Sequence, residues 1–138
     1  MLLNALVMIV ILGFVLEELL GYLNQRSAQQ PLDPEVADLY DESERQRSIA
    51  YGAAKYKVGL IASTVSTAVL VMALLLGWLA DLDRWARGIV TNEIAVSLLF
   101  IGALSVISWW ISLPFSLYNI FVIEARFGFN KTTWKTFI

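Results

Sequence analysis

Glu17, Glu18 and Glu124 are the acidic residues that adjoin long apolar runs, and Arg126 follows Glu124 two positions on. A carboxylate at membrane depth is costly unless paired or hydrated, so such residues commonly mark relays, ion pathways or substrate contacts. All three glutamates stand close to where their runs end, so each could also reach water or a basic partner; Arg26 is one for the first pair. Glu17 and Glu18 point in different directions on a helix, which argues against two carboxylates acting on one atom. The sequence has no cysteine and no histidine. Disulfides, thiolate chemistry, imidazole zinc ligands and Ser-His triads are thereby excluded within these residues. The net charge of −2 suggests neither nucleic acid nor an anionic surface as partner.

A second set of polar groups lies inside an apolar stretch. Ser105, Ser108, Ser112, Ser116 and Asn119 follow steps of three and four and form one stripe on a helix. Such a stripe can hydrogen-bond to neighbouring helices or line a wet chamber. Gly59, Ser63 and Thr67 recur every four residues on another segment, where small side chains permit close helix approach or line a cavity.

These residues need helices in a bilayer to position them. The chain has 138 residues, 58% hydrophobic and 16% charged, against about a quarter charged in soluble domains. Its mean hydropathy is +0.66. No charge occurs over the 23 positions 58–80 or the 30 positions 94–123, and both runs exceed the ~18 apolar residues that mark a spanning helix. Residues 1–16 are also uncharged; no basic residue precedes them and Glu-Glu-Leu-Leu follows, which favours a retained helix over a secretory signal.

The expected fold is therefore all-α: a polytopic membrane protein with spans at 2–23, 58–80 and 94–113, the last extending to 126. A helical cytoplasmic connector covers 24–57, an outside loop 81–93 and a C-terminal corner 127–138. Asp33 and Pro34 form a helix-start signal in the connector. Asp41 and Arg45 are spaced to pair across one turn, and Ser43 with Gln46 fits a capping box that could restart the helix. Pro114 removes a backbone bond to Trp110 and is expected to kink the third helix. Basic residues concentrate in the connector (Arg26, Arg45, Arg47, Lys55, Lys57) and the tail (Arg126, Lys131, Lys135). The positive-inside rule then puts the N-terminus outside and the C-terminus in the cytoplasm, with the bilayer as first partner.

The corner is read from its own residues first. Gly128 suits a left-handed helix stop, Asn130 can cap a following helix, and Phe127 and Phe129 can anchor the turn. Glu124, Arg126, Phe127, Phe129, Asn130 and Lys131 are candidates for interdomain or substrate-entrance contacts, and the corner can equally be structural.

"LPFSLYN" followed by "FVIEARFGFNKTT" resembles the N-terminal membrane region of the CAAX prenyl protease 1 family, the Ste24-like membrane zinc metallopeptidases. The matching positions are Leu113, Pro114, Phe115, Tyr118, Phe121 to Glu124, Phe127 to Lys131 and Thr133, with Tyr51, Lys55 and Pro34 upstream. Ala125 departs from the family, which often has a second acid there. The resemblance implies an integral, multi-pass protein of a bacterial inner membrane or the endoplasmic reticulum. It further implies proteolysis in an intramembrane chamber by zinc on an H-E-x-x-H helix, acting on peptides that are prenylated in eukaryotic members. That motif is absent from these residues, so no catalytic residue or zinc ligand is assigned here; zinc is expected in a C-terminal catalytic part. The chain would then be the noncatalytic N-terminal part, contributing chamber wall and entrance. The alternative is a free-standing three-helix scaffold or accessory subunit.

Overall fold

The computed structural model describes residues 1–30 and 41–129. The start signal at Asp33 and Pro34, and the roles expected of Asn130, Lys131 and Thr133, lie outside those residues. Among the described residues the secondary structure is entirely helical: α1 (Leu2–Ala28), α2 (Glu42–Leu75), α3 (Trp78–Ile89), α4 (Glu93–Tyr118), a π-helical stretch (Asn119–Glu124) and the closing turn α5 (Ala125–Phe127). Three continuous helical segments, Leu2–Ala28, Glu42–Leu75 and Glu93–Phe127, are long and apolar enough to cross a membrane.

The distribution of apolar surface is that of a chain solvated by lipid. Only Ala73, Ala86, Val96 and Ile123 are buried among the described residues, while large apolar side chains such as Leu and Ile stand exposed along every span. In water such a surface would drive aggregation; in hydrocarbon it has no reason to hide, and packing and backbone hydrogen bonding hold the helices instead.

α2 starts at Glu42, without a restart at Ser43. Asp41 Oδ1 accepts the Ser43 N–H at 2.8 Å and so takes the capping role itself. Arg45 pairs with Glu42 at 3.7 Å rather than with Asp41, and Gln46 Nε2 donates to Glu42 Oε1 at 2.7 Å. Glu42 and Glu44 in the first turn suit the positive end of the helix dipole. From there the helix runs unbroken into the apolar span, so the connector and the second span are one element where described.

The second span ends earlier than its composition indicates. Leu75 is the last residue of α2, and Gly77 at φ 76° occupies a left-handed conformation that glycine adopts without steric cost. The 81–93 stretch, expected as a loop, is mostly the amphipathic helix α3, because Trp78, Leu82, Trp85 and Ile89 recur at helical spacing between the charges. Asn92 then starts α4, its Oδ1 accepting the amides of Ile94 at 3.0 Å and Ala95 at 3.2 Å.

Two compact units divide the chain. One combines Met1–Phe14 with Ser63–Pro114, the other Val15–Ala62 with the chain from Phe115 onward. In the first, α1 is half-buried at Val7, Val10 and Phe14; in the second, at Glu18, Gly21 and Gln25, again at steps of three and four. Gly21 is where the ring of Tyr56 comes close: a Cβ there would meet Tyr56 Cε2 at 2.9 Å. The Tyr56 hydroxyl donates to the Glu18 carbonyl at 3.5 Å, a long bond at the edge of the normal range.

Candidate functional site

The second unit brings one face of α2 to the end of the third span. Arg47, Tyr51 and Lys55 are spaced at four and eight and share a helix face. Lys55 Nζ stands 3.8 Å from Glu124 Oε1 and donates to the Tyr51 hydroxyl at 3.2 Å. The Tyr51 ring packs edge-on to Phe127 at 5.4 Å and tilted against Phe129 at 5.0 Å, both within the range of favourable ring pairs. The Arg47 guanidinium donates to the Phe127 carbonyl and lies 5.5 Å from the centre of the Phe129 ring.

The local fold explains why those groups meet. α4 passes through Pro114, which has no N–H to offer Trp110, and its turns widen into π geometry from Asn119 to Glu124. π-helical stretches are rare and frequent at functional sites. The helix then stops at Gly128, φ 77°, with the Gly128 amide on the Ala125 carbonyl at 3.2 Å and the Phe129 amide on the Glu124 carbonyl at 2.8 Å. Those two bonds make a Schellman motif, which sends Phe129 back over the helix end. A cationic guanidinium on the last carbonyls also complements the negative end of the dipole.

Of the corner residues singled out in the sequence, Glu124, Phe127 and Phe129 join this cluster. Arg126 is exposed and stays with its neighbour Phe127, its guanidinium 5.9 Å from that ring. Glu17 is exposed, whereas Glu18 lies on the half-buried seam of α1. Arg47 is a contributor not singled out in the sequence; its spacing from Tyr51 and Lys55 was the available signal.

The polar stripe divides. Ser108 and Ser112 line a cavity of about 650 Å³ in the first unit. The Ser105 hydroxyl donates back to the Ile101 carbonyl at 2.8 Å, a bond that satisfies it within its own helix. In the second unit Ser116 is exposed, and Asn119 is half-buried with its Oδ1 enclosed and without a hydrogen-bond donor. That oxygen opens the π-helical stretch and is an acceptor available to a water or a further polar group.

The charged groups of the site can bind and orient. Among the described residues no group of three or more His, Cys, Asp or Glu could hold a metal ion. With no histidine or cysteine anywhere in the sequence, the donor set does not fit catalytic zinc.

Known proteins resemble this chain in sequence, and one of solved structure resembles it in fold. The CAAX prenyl protease N-terminal family, described as having five membrane helices, matches residues 21–138. The probable CAAX prenyl protease 1 of Schizosaccharomyces pombe is 30% identical over 94% of this chain and 31% of its own length. A CAAX prenyl protease 1 homolog of rice (Oryza sativa subsp. japonica) is 32% identical over 99% of this chain and 34% of its own. The crystal structure of S. mikatae Ste24p superposes with a TM-score of 0.79 at 29% identity, covering 94% of this chain and 32% of that one. The chain thus spans about a third of the length of the relatives it matches. With its three apolar spans and a match over most of its length, it belongs to the CAAX prenyl protease N-terminal family of membrane-helix regions.

Proposed function

We propose that this chain is the noncatalytic N-terminal membrane part of a zinc-dependent CAAX-type metalloendopeptidase, and that it forms part of the chamber wall and the substrate entrance. The observation that carries the reading is the likeness to Ste24p over 94% of this chain but only 32% of that protein. The zinc site, with its H-E-x-x-H helix, belongs to the remaining polypeptide; when bound, the metal supplies activated water for peptide hydrolysis.

The residues present have positioning roles in this reading. Lys55, Tyr51 and Arg47 hold the Glu124-to-Phe129 corner, which directs the chain out of the membrane toward the catalytic part. Exposed Arg126 and Phe129 face that part or a peptide substrate, prenylated where the organism prenylates proteins, and Asn130 and Lys131 follow them in sequence as further candidates for the same contacts. Ser116 and Asn119 contribute polar groups to the chamber side of the third span. The N-terminus and α3 lie outside and the corner in the cytoplasm, of a bacterial inner membrane or the endoplasmic reticulum.

Reading the gene past the codon for Ile138 tests this directly, together with a cleavage assay on membranes. An in-frame continuation encoding H-E-x-x-H is expected, as is chelator-sensitive cleavage of a prenylated CAAX peptide by the complete product. Residues 1–138 alone should not cleave it. A stop codon after Ile138, or zinc-dependent cleavage by residues 1–138, would overturn the reading; the stop codon would favour a free-standing membrane scaffold.

A further inference from the structure

Within the second unit, α2 carries a different neighbour on each of two faces. Arg45, Gly52 and Tyr56, at steps of seven and four, meet α1. There Gly52 accommodates the Gln25 amide, whose Oε1 a Cβ would meet at 3.4 Å, just as Gly21 accommodates the Tyr56 ring. Arg47, Tyr51 and Lys55 instead meet the corner. At about 100° per residue, Arg45 and Arg47 point about 200° apart, so neither can serve the other's neighbour. Toward the start of α2, each face finishes on an arginine that donates to a carbonyl at the neighbour's C-terminal end: Arg45 to Gln30, just past α1, and Arg47 to Phe127, the last residue of α5. Those carbonyls lack donors within their own helices and carry the negative end of the dipole, so a guanidinium is a fitting partner for both.

The two fastenings differ in kind. The Arg45 side chain is only 16% exposed, and Glu42 balances its charge at 3.7 Å. An enclosed, neutralised guanidinium is poorly reached by salt and water. Arg47 is exposed, and among the described residues no carboxylate pairs with it. It holds the corner by the Phe127 carbonyl and by lying over the Phe129 ring, 5.5 Å from its centre. Water and ions compete directly for such a group. What it holds is short: Gly128 and Phe129, tied back to the helix end by one amide bond each.

We infer that the first turns of α2 are a two-sided clasp, in which Arg45 is a fixed anchor for the end of α1 and Arg47 a releasable latch on the corner. Releasing the latch lets Gly128 and Phe129 swing off α2 while α1 stays in place. Local opening of this sort is expected where few buried contacts hold a segment, and the latch confines it to one side of α2. The inference rests on contacts inside the second unit and not on the protease reading, so the two fail separately.

The test is amide hydrogen exchange of residues 1–138 in lipid nanodiscs, resolved by nuclear magnetic resonance. The Gln29 and Gln30 amides, bonded to the Arg26 and Ser27 carbonyls, report the end of α1; the Gly128 and Phe129 amides, bonded to the Ala125 and Glu124 carbonyls, report the corner. Each is read as protection relative to the unstructured chain under the same conditions. Arg47→Gln should lower protection at the corner by at least about threefold and leave the end of α1 unchanged. Arg45→Gln should do the reverse, and Arg45→Lys, which keeps a cationic donor, serves the same purpose by a smaller loss should Arg45→Gln lose its helical circular dichroism. In the unaltered protein about 1 M sodium chloride, where the screening length falls to about 3 Å, should loosen the corner and spare the end of α1. Either arginine variant loosening both ends, a corner insensitive to Arg47→Gln, salt acting equally on both ends, or absence of protection at either pair of amides in the unaltered protein would each overturn the inference.

Discussion

Lys55 Nζ lies 3.8 Å from Glu124 Oε1, so a charge in the first half of α2 meets the last residue of the π-helical stretch, 69 positions later in sequence. The two side chains are 42% and 27% exposed, which limits what Coulomb attraction alone can contribute. Their partnership with Tyr51 and the two phenylalanines makes the pair part of a corner rather than an isolated surface bridge.

A double-mutant cycle should expose this coupling. Lys55→Glu and Glu124→Lys should each lower the thermal midpoint in detergent, and the charge-swapped double variant should recover part of the loss. The coupling energy is expected at about 0.2–1 kcal/mol, the range for partly solvated pairs. Additive losses in the double variant would show that the two side chains do not sense each other.

Gly128 and Gly59 should respond oppositely to alanine. Gly128 sits at φ 77°, where a Cβ would also meet Arg47 Nη2 at 2.8 Å, so Gly128→Ala strains the backbone and displaces the guanidinium from the Phe127 carbonyl. A loss of about 1–2 kcal/mol is expected from the left-handed conformation alone. Gly59 is helical and has nothing within 4 Å of the position an alanine methyl would take, so Gly59→Ala should be neutral or stabilising by up to about 1 kcal/mol. Thermal unfolding of the two variants side by side checks the contrast.

Asp41 should give the start of α2 a dependence on acid. The Ser43 side chain and then its backbone amide hydrogen-bond to the carboxylate and hold its pKa below the ordinary 3.8. Because the folded value is the lower one, the stabilisation is complete above about pH 3.8 and is lost as pH falls through the depressed value. Protection of the Ser43 amide, its exchange rate relative to the unstructured chain at the same pH, should fall over that acidic window in the unaltered protein. Asp41→Asn retains an acceptor and should remove the pH dependence; an unchanged acid response in that variant would assign it to another group.

Features set by local physics were legible in the sequence, and features set by distant contacts were not. Charge-free runs reveal spans because hydrocarbon excludes ions, and Gly128 was legible as a helix stop because only local backbone sterics are involved. α3 was within reach as well: its apolar positions keep helical spacing, but Asp81, Asp83, Arg84 and Arg87 gave the stretch the polarity of a loop. The widening at Asn119–Glu124 carried no such local mark. Nor could composition pair Tyr51 with Phe127 and Phe129, since that contact is set by where two distant helix segments meet.

Sidedness offers the last check, and the absence of cysteine makes it clean. A chain that crosses the membrane between α3 and α5 must present the two to opposite compartments. The basic residues favour the corner as the cytoplasmic one: the connector and the tail are rich in Lys and Arg, whereas α3 carries only Arg84 and Arg87, both neutralised by carboxylates. Single cysteines at exposed Arg126 and half-buried Asp83 should therefore label differently in intact cells of a bacterial host. Asp83→Cys is expected to react with a membrane-impermeant maleimide added outside, and Arg126→Cys only after permeabilisation. Equal labelling of both from outside would break the three-span arrangement, and the reverse pattern would keep the spans but invert the orientation.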